Sequence, residues 1–226
     1  PNLSELLRKS LLTTGAFLVG PLFGVLGQIY QTGANAYDLF FAWAMFITIW
    51  AIVIDFAPLW LLFVGLLNIT VALYAEQIAS GWDFPFTYML LFGLNGLATV
   101  FVHLVPKRWS RKAYPDWLAK VFALGAIGCG TVACFSAVID EGGGIAGLYV
   151  LIVALVYGLA RQYAIKQKNL FYLVAMTFSL IVIGTALILK IDNDGGGFFL
   201  ATFWVLCTTI GSLFYLNRFR KTWSHA

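Results

Sequence analysis

The chain has 226 residues, 61% of them hydrophobic and only 11% charged, with a formal net charge of +4 and a pI near 9.0. An ordinary soluble domain carries about 25% charged residues, so this composition excludes a water-soluble globular fold, which could not hide so much apolar surface. The basic excess does not point to nucleic acid, because the lysines and arginines lie beside long apolar stretches, where they set membrane topology and meet anionic headgroups.

A bilayer core about 30 Å thick is crossed by about 20 apolar helical residues. The sequence offers eight candidate spans, near 11–30, 39–54, 57–75, 86–105, 118–139, 145–164, 170–190 and 198–216. The first carries Gly20 and Gly24 at GxxxG spacing, which lets helix backbones approach closely; Gly93 with Gly96 and Gly125 with Gly128 add similar points further on. At its far end comes the most polar stretch that is not an ordinary loop, from Gly27 to Asp38, with Gln28, Tyr30, Gln31, Asn35 and Tyr37. Gln28 and Gln31 are one turn apart on a single helical face, and amides at membrane depth need partners that lipid does not offer. Two readings of the stretch stand side by side. In one, Gln28, Gln31 and Asp38 open a polar vestibule; in the other, Gln28 holds helices together and the tyrosines lie at headgroup level.

Residues 39–75 are almost continuously apolar and need a break, since one helix of that length would run about 56 Å at 1.5 Å per residue. Asp55 is expected to cap a new helix, with Pro58 in its first turn. Asn68 falls within the third span, and Asn95, Thr99 and His103 recur every four residues along the fourth. Such a stripe suits either a proton or solute relay or helix-to-helix glue, with His103 close to the expected inner interface. A gap from Pro106 to Trp117 follows, mixing basic and aromatic residues as the tail from Arg218 to Trp223 also does.

The second half carries an internal echo. Asp140, Glu141 and three glycines recur as Asp192, Asn193, Asp194 and three glycines, and Gly158 and Gly211 share the 53-residue offset, so hairpins 118–168 and 170–221 read as a candidate duplicated unit within one membrane domain spanning 1–226. Asp140, Glu141, Asp192 and Asp194 could also offer oxygens to a hard cation, although the pattern lacks the later glutamate of an EF-hand. Cys129, Cys134 and Cys207 lie inside spans without a CxxC pair and are expected as small buried apolar residues.

Counting from an inside N-terminus, every lysine and arginine except Lys190 falls on inner segments, so both termini are expected in the cytoplasm. The sequence thus predicts an all-α polytopic transmembrane bundle of eight spans, without a metal, a cofactor or catalytic residues. Its expected partners are the lipid bilayer, anionic inner-leaflet headgroups, and a second copy or another membrane subunit.

The stretch from Gly20-Pro21-Leu22-Phe23-Gly24 through Gly27-Gln28-Ile29-Tyr30-Gln31-Thr32-Gly33-Ala34 to Leu39-Phe40-Phe41-Ala42-Trp43-Ala44 resembles a family of bacterial predicted inner-membrane proteins catalogued as a domain of unknown function. The resemblance covers about residues 15–55. It implies a multi-pass protein of the bacterial inner membrane, and members usually carry further membrane helices ahead of the motif, so a longer parent is expected. It brings no activity, cofactor or site residue. Function is therefore expected from the residues alone: small-solute or ion handling along Gln28, Gln31, Asp38, Asn68, Asn95, Thr99 and His103. A non-catalytic scaffold is one alternative, and a lipid-active enzyme using the outer carboxylates is the other.

Overall fold

A computed structural model describes residues 3–29, 33, 35–104, 114–140, 143–191 and 195–224. The elements are α1 (Leu3–Ile29), α2 (Ala36–Ile54), α3 (Ala57–Gln77), α4 (Phe84–Leu104), α5 (Asp116–Ile139), α6 (Gly143–Lys166), α7 (Leu170–Ile191) and α8 (Gly195–Ser224), and no strand occurs among the described residues. All eight helices are long and apolar enough to cross a bilayer, so the chain is an all-α, multi-pass integral membrane protein.

The helices overrun the apolar stretches, because hydropathy marks where lipid begins and ends while backbone hydrogen bonding continues into the interface. In α1 the added turns hold Glu5 and Lys9, 3.9 Å apart at i,i+4. The basic and aromatic tail extends α8 to Ser224, with Tyr215, Phe219 and Trp223 one turn apart, the first pair of rings edge-on and the second tilted. Likewise the glycine triplets are not only loop: Gly143 and Gly144 open α6, and Gly195 to Gly197 open α8.

The break between α2 and α3 lies where the sequence requires it, but Asp55 works on the other helix. It ends α2 in the left-handed region, φ 45° and ψ 64°, its N–H donating to the Ala51 carbonyl at 3.2 Å. Phe56 is the residue that precedes α3, and Pro58 sits in the first turn as expected. An aspartate tolerates the left-handed region better than bulkier residues do, so this sharp reversal can be made without glycine.

The described residues pack as two compact units. The first comprises Pro1–Trp82 with Leu97–Ala119, the second Asp83–Gly96 with Lys120–Ala226. In the first, Ala16, Ala44, Ile47, Ala51, Leu59 and Leu66 form the buried core of α1, α2 and α3. The Trp43 indole reaches across to donate to the Ala16 carbonyl at 2.9 Å, and its ring covers Gly20 so closely that an added Cβ would lie 2.4 Å from it. Gly20 of the GxxxG pair is thus a seat for a ring inside the unit.

In the second unit Phe92, Cys134, Val153, Tyr157, Leu173, Met176 and Ile183 are among the core residues of α4 to α7. Two more rings find glycine seats there, Phe92 on Gly130 and Trp204 on Gly184. Since lipid tails are as apolar as leucine, burial alone does not drive helices together in a bilayer, and close van der Waals fit at small residues does. The outward face is correspondingly hydrocarbon-like: Phe199 and Phe214 of α8 stand 83% and 75% exposed. Cys207 shares that outward face and is exposed, unlike the buried Cys134, which corrects the expectation of three buried thiols. A thiol is apolar enough for lipid as well as for a core.

Candidate functional site

The residues expected to form a polar path are placed as follows. Gln28 is exposed near the end of α1, and Gln31 lies outside the described residues. Asp38 closes the first turn of α2, accepting from the Asn35 N–H at 3.0 Å. Beside it, Tyr37 stacks edge-on against Tyr74, and Tyr74 against Trp82, an aromatic group at one end of the first unit. Asn68 donates to its own helix at the Val64 carbonyl, 2.7 Å, and Asn95 does the same at Leu91, 2.8 Å. Asn68 belongs to the first unit, with Thr99 and His103, and Asn95 to the second. The Asn95 amide is buried over Gly125, 3.0 Å from where a Cβ would be.

Of the acidic loop residues, only Asp140 is described; it is exposed at the end of α5, and Glu141, Asp192 and Asp194 lie outside the described residues. Among the described residues, no group of three or more His, Cys, Asp or Glu is close enough together to hold a metal ion.

Three hydroxyls that the linear sequence does not join meet in the second unit. Ser179 of α7 lies 2.5 Å from the Thr131 hydroxyl of α5 and 2.8 Å from the Tyr157 hydroxyl of α6. Thr131 donates to the Ile127 carbonyl at 2.6 Å, and Tyr157 also points at that carbonyl, at 3.4 Å. The four groups close a ring. Because each hydroxyl both donates and accepts, the ring can run from Tyr157 through Ser179 and Thr131 to Ile127, or in reverse. Ser179 is 1% and Tyr157 6% exposed, so these hydroxyls answer one another in a medium that offers no water.

Each side of this ring has a cavity. One, of about 510 Å³, lies between α6, α7 and α8; Ala154, Tyr157, Gly158, Arg161, Thr177 and Tyr215 are among its walls. It is a partly open space, within the volume range of ligand sites, roughly 300 to 1,000 Å³. Its walls are mostly apolar; the polar side chains on them are Tyr157, Thr177, Ser212 and, toward the basic end, Arg161, whose Nε donates to the Tyr215 hydroxyl at 3.0 Å. The other cavity, of about 500 Å³, is lined by Phe84, Thr131, Phe135, Ser136, Asp140 and Val182.

Thr131, Tyr157 and Ser179 did not stand out in the sequence, because hydroxyls on three helices show no common spacing. Their distance from the basic residues was readable, however. Thr131 and Ser179 each follow a basic residue, Lys120 and Lys168, by eleven positions, while Tyr157 precedes Lys166 by nine. At 1.5 Å per residue that puts Thr131 and Ser179 about 16 Å from those lysines, while Tyr157 lies about 14 Å from Lys166 and about 6 Å from Arg161.

A second polar group belongs to the first unit. The Asp55 carboxylate accepts from the Trp60 indole at 3.3 Å and from the Tyr114 hydroxyl, while Lys9 Nζ reaches the Asp55 carbonyl at 3.5 Å. Burial, with the Asp55 carboxylate beside it, holds the Tyr114 phenol well above its ordinary value. This cluster joins the α2–α3 turn to the start of α5 and to α1, and no cavity accompanies it among those described above.

No curated protein and no solved structure matches the chain. Residues 3–60, which hold α1, α2 and the first turn of α3, match a family described as "Predicted membrane protein (DUF2157)", in agreement with the resemblance carried by the motif around Gly27 to Ala34.

Proposed function

We propose that the protein handles a small amphiphilic solute bearing an acid group, as a permease-like carrier or the membrane subunit of one, and that the solute occupies the chamber between α6, α7 and α8. The observation that carries this reading is the chamber's chemistry. A largely apolar space carries the Tyr157, Thr177 and Ser212 side chains on its walls and a guanidinium toward its basic end, which suits an apolar body with an anionic end. On this reading the solute lies among α6 to α8; the Asn68 and Asn95 amides each donate to a carbonyl of their own helix.

The test is saturable binding of radiolabelled octanoate to the protein in nanodiscs, with empty nanodiscs as blank and octanol as the uncharged competitor. Octanoate is expected to bind, octanol to compete weakly, and Arg161→Gln to weaken binding about tenfold by removing a charge-assisted contact. Gly158→Leu should abolish it, since nothing lies within 4 Å of a Cβ there and the longer side chain would occupy the chamber. Equal retention by protein-containing and empty discs would sink the proposal.

A non-catalytic scaffold is the second reading, and one observation favours it: the span hydroxyls and amides are largely closed on their own helices, as in Thr48 to Ala44 and Thr70 to Leu66. It predicts that Arg161→Gln changes complex formation or stability without any loss of ligand.

A further inference from the structure

We propose that the Thr131, Ser179 and Tyr157 hydroxyls are the closed gate of a passage through the second unit, with the Asp140 cavity opening to one face and the Arg161 chamber to the other. The inference rests on the reading of the chamber as a solute site and adds a route to it.

Order along the helices supports a single axis. On α7, Val182 lines the Asp140 cavity and Ser179 sits in the hydroxyl ring, while the chamber's lining runs from Leu173 through Met176 and Thr177 to Leu180, level with the ring. On α5, the walls run from Thr131 through Ser136 to Asp140 at the helix end; on α6, they run from Ala154, three residues before Tyr157, to Arg161 toward the basic end. Thr131 thus faces one cavity and Tyr157 the other, and 2.5 Å and 2.8 Å hydrogen bonds through Ser179 are what joins them.

A barrier made of hydroxyls differs from an apolar plug. A purely apolar solute cannot replace the bonds it would break, whereas a group able to donate and accept can substitute for Ser179 in either sense of the ring. A bare inorganic ion would pass the hydroxyl ring with no counter-charge in the two linings nearer than Asp140 or Arg161, at a desolvation cost. The class that suits both ends is a small weak organic acid. It meets the hydroxyls as the neutral acid, an O–H donor and carbonyl acceptor, and at the Arg161 mouth it releases that proton to water, the guanidinium favouring the carboxylate.

The experiment is thiol accessibility in the full chain with Cys129, Cys134 and Cys207 replaced by alanine. Single Ser136→Cys and Thr177→Cys variants are labelled with an impermeant cationic methanethiosulfonate from each face, in right-side-out and inside-out vesicles. Ser136→Cys is expected to react only from the Asp140 face, and Thr177→Cys only from the Arg161 face. Adding Ser179→Ala, or the near-isosteric Thr131→Val, should raise labelling of Thr177→Cys from the opposite face by about fivefold, the scale of one lost hydrogen bond. Tyr157→Phe, which removes only the hydroxyl, serves as the third variant and should act in the same direction.

Labelling of both sites from one face, labelling of neither, or cross-gate labelling unmoved by all three substitutions would overturn the gate. Octanoate binding separates this from the chamber reading. Saturable binding with a failed labelling pattern removes the gate alone, and two-sided labelling without binding removes the chamber's ligand while the gate stands.

Discussion

At the scale of single residues, Asp55 gathers donors from three helices' worth of sequence: Trp60 and Tyr114 on its carboxylate, and Lys9 on its carbonyl. The Tyr114 hydrogen bond to an ionised acceptor is worth about 1 kcal/mol after discounting for the half-exposed site. Tyr114→Phe should lower stability by that amount, read as a thermal midpoint in detergent. The sign of its pH dependence follows from the raised pKa: the folded state holds the phenolic proton more tightly, so the contribution is whole below the ordinary value of 10.0 and declines as pH rises above it. The gap between the parent and the Tyr114→Phe variant should therefore be constant from pH 7 to about 9 and narrow above about 10. A gap that widens with alkalinity would contradict the assignment.

At the scale of helices, glycines divide into seats and spaces, and the difference can be tested at two of them. Gly20 holds the Trp43 ring, so Gly20→Ala must displace an indole that is also hydrogen-bonded to Ala16, at an expected cost of about 1 to 3 kcal/mol. Gly158 faces the chamber with nothing within 4 Å, so Gly158→Ala should be neutral or stabilising, by up to about 1 kcal/mol of helix propensity. Thermal midpoints of the two variants, compared side by side, check the division. Equal effects would mean that the rings are not seated as described.

For the whole molecule, the distribution of charge along eight spans makes a topological prediction. With the arginines and lysines other than Lys190 on alternate segments, a green fluorescent protein fused after Ser224 should fluoresce in the cytoplasm, and alkaline phosphatase inserted at Asn193 should be active outside. The reverse pattern would invert the faces assigned to the Asp140 cavity and the Arg161 chamber. It would leave their separation by the hydroxyl ring untouched.

The eight spans and the break near Asp55 were legible in the chain because they depend on the transfer of each residue between water and lipid, a local property. The extra turns around Lys9 and Trp223 were not, since an interfacial helix carries no apolar mark. What only the tertiary structure decided is which faces meet. A helix that is apolar all round gives no periodic sign of its inward side, because lipid and protein core are equally apolar. Gln28, Asp38, Asn68 and Asn95 stood out in the sequence for being polar, yet Asp38 closes a helix start and both asparagines bond to their own helices. Thr131, Tyr157 and Ser179 are ordinary residues one at a time. They become a site because the packing of α5, α6 and α7 brings the Thr131 and Tyr157 hydroxyls within 2.8 Å of Ser179, itself buried.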